Sequence, residues 1–190
     1  RGPTPPVSRR PRIAAGTRPR PGDADGHAAS NAAPATGPNT ALLFASHQGV
    51  GMQYREVDAT REFLLRLETG ADWRTEIEEF ADLEGIDAAW FQAMGAVRDA
   101  EVWFYDQDDK EYQSVRFDEP LEVAGCVGNV SDLDGDRFAH THAVLSRPSG
   151  QSLAGHLNAA TVFAGEVYLR AFAEPLVRDH DGTTDLDLWL

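Results

Sequence analysis

Apolar and polar residues alternate over several short stretches between Tyr54 and Phe172, with the period of two that is typical of β-strands. The predicted strands cover residues 62–68, 86–94, 100–105, 112–117, 121–130, 138–145 and 162–172. Residues 95–99 separate the second strand from the third, and the polar residues 106–111 form a hairpin tip. Residues 158–162 fit either a short helix or an irregular turn.

One segment has helical spacing instead. Trp73, Ile77 and Phe80 recur at intervals of four and three, after Asp72 as the predicted N-cap and before Gly85 as the predicted C-terminal stop. Such a stripe is typical of a helix that packs on a core. The whole pattern predicts an α+β fold, with a mostly antiparallel sheet of about six or seven strands and one main helix.

The chain divides into three parts by composition. Residues 1–51 are rich in Pro, Ala, Gly and Arg and lack apolar periodicity, which predicts a disordered leader. The chain opens on Arg1 and its composition changes near Gly51, so we expect a natural start at Met52, with the leader outside the native product. Residues 52–176 form the predicted domain. Residues 177–190 are an acidic tail that either docks or frays.

The net charge of −14 is unevenly distributed, because residues 51–190 carry 29 Asp and Glu against 11 Lys and Arg. Lys110 is the single lysine. A strongly acidic, lysine-poor surface favours a halophilic source with molar salt in its cytoplasm. The same charge makes DNA a doubtful partner, because nonspecific DNA binding depends on Lys and Arg that neutralise phosphates.

The single cysteine, Cys126, excludes an internal disulfide and fits a reducing compartment. No apolar run approaches the roughly 20 residues that a membrane-spanning helix needs. We therefore expect a cytoplasmic protein with no membrane association.

Three of the six histidines lie within seventeen residues of sequence. His140 and His142 are two apart on a predicted strand, so both side chains point to the same face. Residues 147–150 (RPSG) predict a turn that returns the chain and brings His156 toward them. The spacing predicts a three-nitrogen metal site at His140, His142 and His156. Three imidazoles also leave a fourth coordination position open.

An ordered set of short motifs extends over residues 57–174. These are FLLRLETG (63–70), GAVRDA (95–100), EPLEV (119–123), GNV (128–130), HTHAVL (140–145) and GHL (155–157). In this order they resemble the plants-and-prokaryotes-conserved domain, or PPC domain, which some plant nuclear proteins carry joined to AT-hooks.

The resemblance implies a compact α+β fold, a homotrimer, and a metal site, most plausibly for zinc, built from the His-x-His and Gly-His-Leu motifs of the prokaryotic members. His140, His142 and His156 fill those positions without substitution. Plant members lack these histidines and bind DNA through AT-hooks, which this chain lacks. The resemblance is therefore to the stand-alone microbial type.

Two further residues, Asn129 and Glu166, are candidates for contacts to the ligating histidines or to a small-molecule ligand. The predicted function is that of a trimeric, metal-binding PPC-domain protein, and no catalytic residue is identified. Two alternatives stay open: a DNA-associated regulatory protein, and a metal-dependent hydrolase that acts on a small polar substrate.

Overall fold

The computed structural model describes residues 53–189, so the predicted leader and the predicted start at Met52 lie outside the described residues. The elements are β1 (Ala59–Leu67), α1 (Trp73–Glu84), β2 (Ala89–Asp106), β3 (Glu111–Phe117), β4 (Leu121–Leu133), β5 (Asp136–Ser146), β6 (Ser152–Phe172), β7 (Arg178–Asp181) and β8 (Leu186–Trp189). No helix in this part of the chain is long and apolar enough to cross a membrane.

Six of the strands form one sheet in the order β1-β6-β5-β4-β2-β3, and its pairings are all antiparallel. Strand β6 also pairs with β2, so β2, β4, β5 and β6 close into a ring. Alternate residues of these strands point into the ring and are buried, including Phe91, Val130, Leu145 and Leu169. The predicted mostly antiparallel sheet with one main helix is confirmed.

Helix α1 begins and ends where the sequence predicts. The Asp72 side chain accepts hydrogen bonds from the main-chain N–H groups of Arg74 at 3.1 Å and Thr75 at 3.0 Å, which is N-cap geometry. Gly85 follows the last turn with a φ of 63°, a conformation that glycine adopts without strain. Trp73 and Ile77 are fully buried, so the helix packs its apolar stripe against the sheet.

Two predicted interruptions are wrong. Residues 95–99 do not break the sheet, because β2 continues through them with a shift in its pairing register between Ala93 and Gly95. Gly95 has a φ of 152°, and a Cβ there would collide with the main-chain oxygen of Ala164 on β6. The glycine therefore permits close approach of two strands and is no terminator. Residues 158–162, predicted as a short helix or turn, lie within β6.

The acidic tail docks. Strands β7 and β8 form an antiparallel hairpin that contacts the rest of the fold at several points. The Tyr105 hydroxyl donates to the main-chain oxygen of Thr184 at 2.7 Å, and the rings of Trp90 and Trp189 lie 6.5 Å apart. The hairpin therefore lies beside the β2–β3 hairpin, next to the histidine cluster described below.

Candidate metal centre

Strands β5 and β6 bring the three histidines together on the outer face of the ring. His142 lies directly opposite His156 in the β5–β6 pairing, and His140 is two residues before His142 on the same face. The intervening Thr141 is fully buried and points into the ring. The cluster therefore follows directly from strand alternation and one pairing register.

Each of the three side chains offers one ring nitrogen, and these nitrogens all lie within 4.8 Å of one another. The Nε2 atoms of His140 and His142 are 3.2 Å apart. The ring centroids are separated by 5.0 Å for His140 and His156 and by 5.5 Å for His142 and His156. Burial differs, since His156 is buried, His140 is partly buried and His142 is exposed.

The surroundings keep all three rings neutral at pH 7. Burial, with the positive charge of Arg178 second, lowers the pKa of His140 to about 3. Burial and then Arg74 lower the pKa of His156 to about 4, and burial also lowers the pKa of His142. A neutral imidazole has a free lone pair, so protons do not compete with a metal ion at neutral pH.

The residues present fit a metal ion. The buried Nδ1 of His156 forms no hydrogen bond with any described residue, and an unsatisfied buried nitrogen is costly. Three neutral imidazoles in one small volume are the donor set of three-histidine zinc sites. An ion shared by these rings would satisfy the His156 nitrogen, which has no partner among the described residues.

Aromatic rings enclose one side of the histidine cluster. The ring of Trp103 stacks on His156 at 5.8 Å, Tyr112 lies 5.7 Å from His156, and Phe138 stacks on His140 at 6.1 Å. These aromatic residues and two of the histidines line a cavity of about 460 Å³, which the β7–β8 hairpin borders on its other side. The cavity has the size of a small-molecule site.

The family model of the Plants and Prokaryotes Conserved domain (also abbreviated PCC) matches residues 54–173. The chain belongs to this family. Membership, which the motifs predicted, is therefore confirmed, and the match includes all three histidines.

Solved structures of PPC-like proteins agree with this assignment. A metal-containing protein from Archaeoglobus fulgidus is 43% identical, with a TM-score of 0.70 over 73% of this chain and 99% of its own. A PPC protein from Pyrococcus horikoshii is 28% identical, with a TM-score of 0.69 over 73% of this chain and 97% of its own. A proposed DNA-binding protein from Bacteroides thetaiotaomicron, 21% identical, shares the fold with a TM-score of 0.64 over 70% of this chain and 96% of its own. A comparison with curated proteins gives no match.

Asn129 lies beside the histidines of this PPC domain. It pairs with His140 across β4 and β5, and it is almost fully buried. Its side-chain oxygen accepts a hydrogen bond of 2.8 Å from Nη2 of Arg178. The same Nη2 lies 3.1 Å from Nδ1 of His140, so Arg178 bridges the two residues.

The structure does not bring Glu166 to the cluster. It lies ten residues after His156 on β6, about 33 Å along an extended strand. It lines a different cavity, together with Leu64, Met94 and Tyr168. The expectation that Glu166 contacts the histidines or their ligand therefore has no support in the geometry.

Two residues near the site were not identified from the sequence. Arg178 is a single arginine in an acidic tail, and nothing in its local pattern indicates a contact with His140. Glu101 accepts hydrogen bonds from Trp103 at 2.8 Å and Asn158 at 3.3 Å, and it thereby fixes the ring that stacks on His156. These bonds, the Trp103 bond first, lower the pKa of Glu101, so it remains a carboxylate at neutral pH.

Proposed function

We propose that this PPC-domain protein binds a divalent metal ion, zinc above all, through His140, His142 and His156, and holds a small-molecule ligand beside it. One observation carries the proposal: three neutral imidazole nitrogens lie within 4.8 Å of one another. The 43% identical relative from Archaeoglobus fulgidus is a metal-containing protein, which supports the same conclusion for this chain.

Zinc suits this donor set. It accepts imidazole ligands at about 2.0–2.1 Å and is commonly four-coordinate, so three histidines leave one position for a ligand from solution. Held by His140, His142 and His156, zinc would polarise an oxygen atom of that ligand. The protein contributes neutral imidazoles, the aromatic wall of Trp103 and Tyr112, and a cavity that opens next to His140 and His156.

Elemental analysis of purified protein tests the proposal. We expect about one zinc per chain in the wild type and a loss of at least tenfold in His142→Ala, because two histidines bind zinc far more weakly than three. His180→Ala is the matched control, since His180 is exposed in the tail hairpin beside Asp185 and Asp187. Equal metal content in His142→Ala and the wild type would contradict the proposal.

We propose in addition that the protein is a homotrimer. Large apolar side chains on the outer face of the sheet support this, above all Leu64 (87% exposed) and Met94 (62% exposed). Met94 lines two neighbouring surface depressions, one with Leu64 and one with Val127, Val144 and His142. An apolar surface of this kind on an otherwise acidic domain is typical of a subunit interface.

Sedimentation analysis tests the assembly. The wild type should sediment as a trimer, and Met94→Asp should shift it toward monomer because the new carboxylate would lose its hydration in the interface. Leu83→Asp is the control, because Leu83 is 81% exposed on helix α1 and lines neither depression. A monomeric wild type would contradict the proposal.

A metal-dependent hydrolase is the second candidate, favoured by the cavity that opens at His140 and His156. It predicts that the metal-loaded protein, and not the chelated one, turns over a member of an ester, amide and phosphoester panel.

DNA association has less support. Residues 51–190 carry a net charge of −18, and the relative described as a proposed DNA-binding protein shares only the fold. A gel-shift experiment at near-molar KCl tests it.

A further inference from the structure

The partly buried guanidinium of Arg178 contacts the histidine cluster and has no carboxylate partner among the described residues. Its four hydrogen-bonding partners are the hydroxyl of Ser131 (2.9 Å), the main-chain oxygen of Asp187 (2.8 Å), Oδ1 of Asn129 (2.8 Å) and Nδ1 of His140 (3.1 Å). All four are uncharged groups. A partly buried cation without a carboxylate in contact is costly, so it indicates a place for an anion.

The other arginine that lines the cavity differs in this respect. Nη2 of Arg74 lies 3.0 Å from Oε1 of Glu78, and its remaining bonds go to the main-chain oxygens of Ala139 and Asn158. Its charge is therefore compensated within the protein. Of the two guanidinium groups on the cavity wall, only that of Arg178 lacks a carboxylate contact within the described residues.

Two carboxylates at the cavity rim, Asp185 and Asp187, form no ion pair with Arg178, and burial lowers the pKa of Arg178 more than the charge of Asp187 raises it. Their side-chain oxygens lie 3.3 Å and 3.6 Å from the ring nitrogens of His180, on the exposed side of the hairpin. Both side chains are about half exposed, so water screens their charge. A divalent ion at the histidines would also leave the inner part of the cavity positively charged.

The orientation of the His140 ring leads to the same conclusion. Its Nε2 lies beside Nε2 of His142, so Nε2 faces the position that the histidines share, and Nδ1 faces Arg178. A neutral imidazole that binds a metal through Nε2 carries its proton on Nδ1. The hydrogen bond from Arg178 to Nδ1 would then be lost, and both N–H groups, of His140 and of Arg178, would need another acceptor.

We infer that the cavity beside the histidines binds a small organic anion, whose carboxylate or phosphate oxygens accept hydrogen bonds from Arg178 and from Nδ1 of His140. The inference rests on the proposed metal site, because a metal bound through Nε2 would leave the proton on Nδ1 and would make the cavity positive. Trp103, Tyr112 and Phe138 line the same cavity, so a flat or apolar body on the anion packs against aromatic rings.

Cobalt(II) in place of zinc provides the readout, since its visible absorption reports both metal occupancy and changes at the open coordination position. The probes are acetate, benzoate, inorganic phosphate and phenyl phosphate, at constant ionic strength. We expect a saturable spectral change, with the aromatic member of a pair binding more tightly than its small counterpart. The carboxylate and phosphate pairs show which headgroup the site prefers.

Three variants identify the part played by Arg178. Arg178→Gln should keep full cobalt occupancy and weaken anion binding about tenfold or more, because it removes a charge-assisted hydrogen bond. Arg170→Gln, the same change at an exposed arginine paired with Glu62, should leave anion binding unchanged. Tyr105→Phe removes the hairpin's bond to Thr184 and keeps the charge, so its effect should be smaller than that of Arg178→Gln.

The outcomes separate the two proposals. Cobalt absorption that none of the four probes changes would overturn the anion site and leave the metal site standing. Equal anion affinity in Arg178→Gln and Arg170→Gln would overturn it as well, as would an equal loss in Tyr105→Phe and Arg178→Gln. A protein that gives no cobalt absorption would remove the metal site, and the anion site with it.

Discussion

The two faces of strand β5 differ in what they contact. Thr141, Ala143 and Leu145 point into the ring and are buried against core residues, whereas His140 and His142 point outward. Of these two histidines, His140 lines the cavity beside the tail hairpin. Stability therefore depends on one set of side chains and the candidate chemistry on the other, although the two sets alternate along a single strand. Substitutions on the two faces should have separable effects.

The largest loss of stability is expected from a substitution in the buried core. Trp73 is fully buried in the core, so Trp73→Ala should lower the free energy of unfolding by about 3–5 kcal/mol. Metal binding should be lost only to the extent that the protein unfolds. Urea denaturation monitored by circular dichroism measures this, and a change below about 1 kcal/mol would show that the helix is not part of the core.

Gly128 on β4 lies close both to the core residue Phe91 and to the main chain of His140. Its substitution should have an intermediate effect on stability. A Cβ at this position would collide with the Phe91 ring and with the main-chain oxygen of His140. Gly128→Ala should therefore cost about 1–3 kcal/mol and also weaken metal binding by displacing His140. Gly125→Ala, on the same strand with no atom near its Cβ, is the control. Equal stability of the two variants would contradict the predicted close packing.

Acid should destabilise the metal-free protein through the histidines on the outer face of the ring. The pKa values of His140 and His156, about 3 and about 4, lie below the ordinary value of 6.5. The unfolded chain therefore binds more protons, so stability should fall as the pH drops from 6.5 toward 4 and should stay level just above 6.5. With EDTA present, the melting temperature of His140→Gln should depend less steeply on pH than that of the wild type. If the melting temperatures of the two proteins changed with pH in the same way, the predicted neutral state of the histidines would be contradicted.

The smallest effect on stability is expected for His142→Ala. The side chain is exposed, so in EDTA the variant should match the wild type within about 0.5 kcal/mol. With zinc added, only the wild type should gain thermal stability, because ligands that bind the folded state raise the melting temperature. An equal zinc-dependent rise in both proteins would place the ion elsewhere.

Local patterns in the sequence predict much of this fold. The helix follows from the spacing of Trp73 and Ile77 between two capping residues, and the pairing of His140 with His142 on one face follows from strand alternation. Gly95 and residues 158–162 were wrongly predicted to lie outside the strands, because glycine and polar residues are locally typical of turns. Long-range pairing between β2 and β6 keeps both segments in the sheet.

The contact between Arg178 and His140 could not be predicted in the same way. The two residues are 38 positions apart, and they meet only because the tail hairpin docks beside β4 and β5. Asn129 was identified as a candidate, yet its link to Arg178 depends on the same docking. The histidine cluster is local in sequence, and the residues that surround it are not.

Anomalous diffraction at the zinc absorption edge, on crystals grown with zinc, tests the central claim most directly. We predict one strong peak per chain, about 2.0–2.1 Å from a ring nitrogen of each of His140, His142 and His156. A peak that contacts only two of these histidines, or that lies away from them, would contradict the three-histidine metal centre.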